Sequence, residues 1–488
     1  MNFNRKALAR ICGFILIILS IAMVPCLLAA FYFHEEKCQY AFGISAPLTL
    51  AAGLALYLLL PNSKKGFLQR DGYLAVMISW IIGALFGTLP YLLSGFLKTF
   101  PDAFFESMSG LSTTGATITK DYMPESLILW KSTMHWLGGM GILIFIIAIL
   151  PALGVGGQRI ASAEAPGSEL AKMSPRITDI SKMLYLIYST LTIAEFLMLA
   201  FGSSMKPFEA LVNTLGSIST AGLLYHQGSV NEYNSLYIEL VMACFTIASS
   251  LNFVVYISLL KRNFSKAFRN IEARSYLIVL AGSTLFIAIM LRIHHVYPSF
   301  LESVRHAFFQ VAAFASTSGF CIDNYMTWPA VTKVLLFTLL LVGGCAASTS
   351  GGLKVFRLVV MEKLVRRGAY RRMHPHSVRA VRIGGEVITS RLASAVTSFV
   401  ILYGVTFLLA SLVISLSGCN LETALISAAS LMSTTGGSFG TVGPAAYYGM
   451  FQPPMKIFLS LLMMVGRLEL FTVFIMFSTS FWNPNRAS

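Results

Sequence analysis

Four copies of Ser-Thr-x-Gly, each set in the same surroundings, constrain this chain more than any other feature. They are Leu111-Ser-Thr-Thr-Gly-Ala116, Ile218-Ser-Thr-Ala-Gly-Leu223, Ala315-Ser-Thr-Ser-Gly-Phe320 and Met432-Ser-Thr-Thr-Gly-Gly437. The glycines Gly115, Gly222, Gly319 and Gly436 are 107, 97 and 117 residues apart. Each copy follows an apolar span and a short amphipathic segment, starting at Asp102, Glu209, His306 and Glu422, and precedes a polar tail and another apolar span. A fifth copy, Ser348-Thr-Ser-Gly351, lies only 32 residues past Gly319 without the short segment before it, and stands outside the repeat. At two to three turns the short segments cannot cross a hydrocarbon layer of ~30 Å. They must enter and return on one side, so each unit reads as helix, re-entrant loop, helix.

The flanking spans place these units in a membrane. Hydrophobic residues make up 56% of the chain and charged ones 12%, against roughly 25% charged in a soluble domain. Ten stretches are long and apolar enough to span: 11–33, 45–60, 73–93, 127–150, 183–202, 236–260, 275–293, 330–353, 393–416 and 456–479. The first follows Arg5, Lys6 and Arg10 but exceeds the ~7–15 apolar residues of a signal peptide, which makes it a retained helix. The seven cysteines are scattered without CxxC spacing, indicating neither a disulfide framework nor a zinc site.

A net charge of +15 raises nucleic-acid binding, but the basic residues fall in alternate loops. They cluster at Arg5, Lys6 and Arg10, at Lys64, Lys65 and Arg70, in 151–182, in 261–274, most densely in 354–391, and at Arg486. This is the positive-inside pattern. It predicts an even number of spans, both termini cytoplasmic, the four loops outside, and no nucleic-acid partner. The expected fold is an all-α polytopic membrane protein of four helix–re-entrant loop–helix repeats around a central pore. A pair of transmembrane helices in 1–70 precedes repeats in 71–160, 161–262, 263–382 and 383–488.

Irregular backbone at membrane depth is tolerated where protein or water surrounds it, so four such loops should meet on one axis. Rings of backbone carbonyls there would replace the hydration shell of a monovalent cation. Glycine suits the turn by accepting φ > 0, and the short helices would point their partially negative C-termini inward. The expected ligand set is Thr113, Thr114, Gly115 and Ala116; Thr220, Ala221, Gly222 and Leu223; Thr317, Ser318, Gly319 and Phe320; Thr434, Thr435, Gly436 and Gly437. One shared glycine per loop predicts K⁺ preference with some passage of other alkali ions. No bound cofactor is needed, K⁺ being cargo. Asp102, Glu209 and Glu422, at the far ends of the short helices, are expected to cap them.

The sequence resembles the TrkH/TrkG-type subunits of bacterial Trk potassium uptake systems, within the group that includes KtrB and plant HKT transporters. The likeness spans nearly the whole chain. It rests on the four loops and on His135-Trp-Leu-Gly-Gly-Met-Gly-Ile142, Ile149-Leu-Pro-Ala-Leu-Gly-Val-Gly-Gly157, Ala163-Glu-Ala-Pro-Gly167, Gly343-Gly-Cys-Ala-Ala-Ser-Thr-Ser-Gly-Gly-Leu-Lys354 and Gly466-Arg-Leu-Glu-Leu-Phe-Thr472. The resemblance implies K⁺ import across the bacterial cytoplasmic membrane, a homodimer, and gating by a TrkA-like cytosolic nucleotide-binding ring, with basic 354–382 as the docking candidate. The chain departs from the familiar pattern with Thr-Ala-Gly-Leu in the second loop and Thr-Thr-Gly-Gly in the fourth. In HKT relatives a Ser at the first filter glycine accompanies Na⁺ preference; this chain has Gly115.

Two further features read as gating elements. The run Gly343, Gly344 to Ser348, Thr349, Gly351, Gly352 and Lys354 should break a helix, since interior glycines cost up to ~1 kcal/mol each. Lacking GK[ST], it is no phosphate loop; together with the resemblance it reads as an intramembrane gate. Arg467 lies inside the last apolar span, where a charge marks function; it either limits cation flux or pairs with a buried acid such as Glu195. His374 and His376 have no third ligand near, and no nucleophile constellation appears. A Na⁺- or H⁺-coupled symporter is the alternative transport reading.

Overall fold

The computed structural model describes residues 3–58, 69–120, 122–141, 177–225, 230–376, 380–384 and 386–482. The motifs at 149–157 and 163–167, and the basic residues Lys64, Lys65 and Arg486, lie outside them. The described residues are mostly helical. Strand pairing among them is confined to a hairpin of two-residue strands that pairs Arg382 with Val387 and Ile383 with Glu386, and to an isolated bridge between Thr117 and Tyr447.

Among the described residues, six helices are long and apolar enough to cross a membrane: Arg5–Tyr32, Glu36–Leu58, Arg70–Leu93, Ser181–Gly202, Ile271–Ile293 and Ser390–Ser415. The first two pack so closely that a Cβ on Gly13 would sit 2.7 Å from the Gly53 carbonyl oxygen and one on Gly53 2.9 Å from that of Gly13. Small residues at a crossing let backbones approach where lipid supplies no hydrophobic drive. Ser20 also donates to the Ala46 carbonyl at 2.8 Å.

Two stretches expected as continuous spans are broken, and the break expected at the glycine run within 330–353 is present. Residues 236–260 bend by 90° between Leu236–Ser250 and Phe253–Leu260, and the last span bends by 110° between Pro453–Arg467 and Phe471–Phe477. The helix Ala330–Val342 stops at Gly343, whose φ is 70°. Each break has a local cause. Asn252 accepts from Val254 N and starts a new helix, while Glu469 and Leu470 both take positive φ. Within 127–150, the helix Glu125–Gly139 also ends after 15 residues, and the rest of that stretch, beyond Gly141, is outside the described residues. The helix after each loop therefore halts partway.

The four short helices are Phe100–Leu111, Pro207–Ile218, Phe300–Ala315 and Leu421–Met432. Thr99, Ser299 and Asn420 cap three of them by accepting from Asp102 N, Glu302 N and Thr423 N; Lys206 precedes Pro207 at the fourth without a side-chain cap. Asp102, Glu209 and Glu422 are thus first-turn acids rather than caps, favoured there by the helix dipole. Packing is cyclic. Glu125–Gly139 lies on Pro207–Ile218, Leu236–Ser250 on Phe300–Ala315, Ala330–Val342 on Leu421–Met432, and Pro453–Arg467 on Phe100–Leu111. Ion pairs sit at two matching contacts: Glu239 with Arg305 at 2.5 Å and Lys456 with Asp102 at 2.6 Å.

Gly13→Val should force the first two helices apart at a cost of about 1–3 kcal/mol. A thermal-unfolding midpoint in detergent would show the loss, whereas Gly43→Val, with no neighbour within 4 Å, should leave it unchanged. Equal midpoints for the two variants would refute the close crossing.

Candidate functional site: a ring of four loops

Each short helix ends in one recurring backbone turn. After the C-capping Ser112, Ser219, Ser316 and Ser433, the next residue is a threonine at φ 55°, 53°, 60° and 53°: Thr113, Thr220, Thr317 and Thr434. The residue after it donates back to the helix: Thr114 N to Ser109 O at 3.0 Å, and Ala221, Ser318 and Thr435 N to Gly216, Ala313 and Ser430 O at 2.9 Å. A left-handed residue closing a helix this way is ordinary for glycine but strained for a β-branched side chain, at about 1–3 kcal/mol each. The glycines Gly115, Gly222, Gly319 and Gly436 follow at φ 70–73°. The sign of φ thus alternates through each Thr-x-Gly turn.

The loops interlock in order. A Cβ on Gly115 would land on the Ala221 carbonyl oxygen, one on Gly222 on that of Ser318, one on Gly319 on that of Thr435, and one on Gly436 on that of Thr114. The circle closes from fourth loop to first. Thr113, Thr114, Thr220, Ala221, Thr317, Ser318, Thr434 and Thr435 are all buried there. Ala116, Leu223, Phe320 and Gly437 follow the four glycines, and Gly437 is packed against the Gly319 oxygen. The Thr113 and Thr435 hydroxyl oxygens are buried without a protein hydrogen-bond partner. Orphaned oxygens beside stacked carbonyls fit a desolvated cation. On one side of the ring opens a cavity of about 300 Å³, lined by Gly115, Gly222, Gly319, Thr435 and Gly437 among others.

Sequence reasoning missed the supports behind the ring. Nine residues before each glycine stands a polar side chain on the buried face of the short helix: Glu106, Asn213, Gln310 and Ser427. Glu106 accepts from Thr117 Oγ1 at 3.0 Å and Ile118 N at 3.2 Å, Asn213 from Tyr225 N at 2.9 Å, and Gln310 donates to Phe320 O at 3.1 Å. These three fix the segment leaving their glycines, while the buried Ser427 hydroxyl makes no protein hydrogen bond. Lys131 pairs with Glu106 at 2.5 Å and donates to Ala116 O at 3.1 Å. The signal was in the alignment of the repeats, as a shared polar position on an otherwise apolar face. By the cavity, Tyr122 and Tyr225 donate to Glu125. Burial, then the hydrogen bond to that carboxylate, pushes both phenols up, which keeps them neutral donors.

On the opposite side the 343–354 segment runs directly against the ring. Gly351 N donates to Thr317 Oγ1 at 2.7 Å, and a Cβ on Gly351 would fall on Ser433 O and Thr434 Oγ1. Thr349 Oγ1 donates to Ser249 O at 3.0 Å and Cys345 N to Ser250 O at 3.0 Å. Ser348 donates to Cys345 O, and buried Lys354 to Ser350 O. Gly343 and Gly344 press on Gly351 and Ser350, and Gly352 on Gly343. The fifth Ser-Thr-x-Gly, set aside from the repeat, therefore touches the ring directly. Arg467 is the last residue of its helix and donates to Thr349 O at 2.5 Å, Gly138 O at 2.8 Å and Gly139 O at 2.7 Å. Glu195, the alternative partner for Arg467, is not among these contacts and is buried near Ser217. Glu469 pairs instead with Arg357.

Comparison with known proteins gives a single answer. The family described as TrkH, cation transport protein, matches residues 40–484. A Trk system potassium uptake protein TrkH of Halomonas elongata is 36% identical over 98% of this chain and 99% of its own length. The TrkH of Escherichia coli K12 is also 36% identical over 98% and 99%. The crystal structure of the potassium transporter TrkH from Vibrio parahaemolyticus superposes with a TM-score of 0.88 at 29% identity, covering 99% of this chain and 100% of that one.

Lys131→Met should cost about 3–5 kcal/mol by stranding the Glu106 charge, and adding Glu106→Gln should recover part of the loss. Denaturation of Lys131→Met, Glu106→Gln and the double variant checks this; additive losses would mean that the pair is not coupled.

Proposed function

The chain belongs to the TrkH family of cation transport proteins, and from that premise we propose that it takes up K⁺ across a bacterial cytoplasmic membrane, down the membrane potential, through the ring of four loops as a selectivity filter. The single observation that carries the reading is the interlocked set of glycines and neighbouring carbonyls. In this reading K⁺ exchanges water for carbonyl oxygens of Thr113 to Ala116 and their counterparts, with the Thr113 and Thr435 hydroxyls as further oxygens. The helix C-termini that converge on the ring favour positive charge there.

The 343–354 segment acts as the gate. Lying against Thr317 and Thr434, it stands where an ion leaving the ring would pass, and Arg467 holds it through the Thr349 carbonyl while setting a positive field in the path. Repeat boundaries at 71–160, 161–262, 263–382 and 383–488 follow from the same reading, as do cytoplasmic termini. A homodimer and a TrkA-like cytosolic ring remain part of the proposal. Support for docking comes from the helix Val355–Met373, which exposes Arg366, Arg371 and Arg372 just beyond the segment. The buried carboxyl of Glu195 is the one observation favouring proton-coupled symport as a second reading.

The test is uptake into proteoliposomes under an inside-negative potential with no pH or Na⁺ gradient. K⁺ and Rb⁺ should enter ahead of Na⁺; uptake that begins only with a proton or Na⁺ gradient would favour symport. Gly115→Ser places a Cβ on the Ala221 carbonyl and should lower K⁺ over Na⁺ discrimination by about tenfold, equivalent to ~1.4 kcal/mol. Unchanged discrimination would contradict the filter. Arg467→Gln should raise K⁺ flux several-fold without altering ion preference, and lower flux would contradict the gating role.

A further inference from the structure

A second cavity, of about 350 Å³, lies between residues 252–272 and the outer side of the 343–354 segment. Lys266 and Arg269 line it on one side, with Ala346 and Ala347 on the other. Neither cation has an ion-pair partner among the described residues. The one acid in the lining, Glu272, is already committed. Its Oε1 accepts from Ala346 N at 2.6 Å and Phe356 N at 3.2 Å, and its Oε2 from Asn252 Nδ2 at 2.7 Å. What the cavity offers a visitor is therefore two unspent cations with polar neighbours such as Ser265 and Asn270.

We infer that this cavity binds the phosphate group of an anionic ligand, supplied by the membrane as a lipid headgroup. The supply is argued from the rim. Phe264 and Phe268 stand one helical turn apart beside Lys266 and Arg269, and are 56% and 73% exposed. Exposed aromatics interleaved with cations are the composition of a segment resting at headgroup depth. The basic loop 261–274 lies on the face that the positive-inside pattern assigns to the cytoplasm, where anionic lipids attract Lys and Arg. A phosphate seated there would touch the segment at Ala346 and Ala347. Phe253 N already holds Ala347 O at 3.1 Å, so occupancy would restrict how far the segment can move. That effect on flux rests on the proposed gate; the binding does not.

Binding is measured on the full-length protein in detergent by native mass spectrometry with short-chain phosphatidylglycerol, phosphatidylcholine as control, and inorganic phosphate as competitor. Phosphatidylglycerol should bind better than phosphatidylcholine. Lys266→Gln and Arg269→Gln should each weaken it by about fivefold, while Lys261→Gln and Arg262→Gln, on the same loop but outside the cavity, should have much less effect. Equal losses for both pairs, or none for the first, would overturn the site. Displacement of the lipid by inorganic phosphate alone would overturn the lipid as its source. None of these readouts depends on ion flux, so failure of the pore reading would leave them interpretable.

Discussion

Everything in this fold depends on four places where a glycine has a neighbour's carbonyl oxygen in the space its side chain would fill. Gly115 meets Ala221, Gly222 meets Ser318, Gly319 meets Thr435 and Gly436 meets Thr114. No loop can hold its shape alone, because each is the wall against which the preceding one closes. The strained threonines before them persist for the same reason: local strain survives only where the surroundings over-determine it. Cyclic helix packing supplies those surroundings, and the pairs Glu239 with Arg305 and Lys456 with Asp102 fasten matching contacts with the charges exchanged. A single chain achieves what symmetry would give four subunits, and is free to vary where symmetry would forbid it. Ala116, Leu223, Phe320 and Gly437, one after each glycine, use that freedom.

The repeat, the membrane class and the ring residues were legible in the sequence because each rests on a local pattern that recurs. Spacing exposed Gly115 and its three counterparts, and the short length of the preceding segments required them to re-enter. Helix continuity was not legible in the same way. Hydropathy counts apolar residues and cannot tell one straight span from two shorter pieces, so 236–260 and 456–479 read as whole, whereas the glycine run at 343–352 announced its own break. The unannounced breaks depend on single residues: Asn252 capping a new helix, Glu469 and Leu470 turning the chain. Asp102, Glu209 and Glu422 read as caps for a related reason. A carboxylate at a helix start suits the dipole whether or not it caps, and only the structure distinguishes Thr99 and Asn420 as the residues that accept the backbone N–H.

The truncated helices make room under the ring, and the segment that fills that room is held by many polar contacts, with Cys345 and Leu353 set into apolar clusters on either side. The 343–354 segment donates through Gly351 N, Cys345 N and Thr349 Oγ1 and accepts from Arg467, while Glu272 receives the N–H groups of Ala346 and Phe356. Contacts of this kind exchange with water at a net cost of only ~0.5–1.5 kcal/mol each, whereas a segment packed by large apolar side chains would have to expose them to move. Gly343, Gly344, Gly351 and Gly352 and the small residues between them bury little apolar surface. A loop so fastened is well placed when every bond is made, yet a hydrated passage beside it could take over those bonds one by one. Arg467 is the exception. Its guanidinium joins Thr349 to Gly138 and Gly139 on another repeat through their carbonyl oxygens. In the proposed gate, release of the segment therefore means breaking one charge-assisted contact among several neutral ones, and in that reading a cation passing the same point meets the arginine that holds the segment in place.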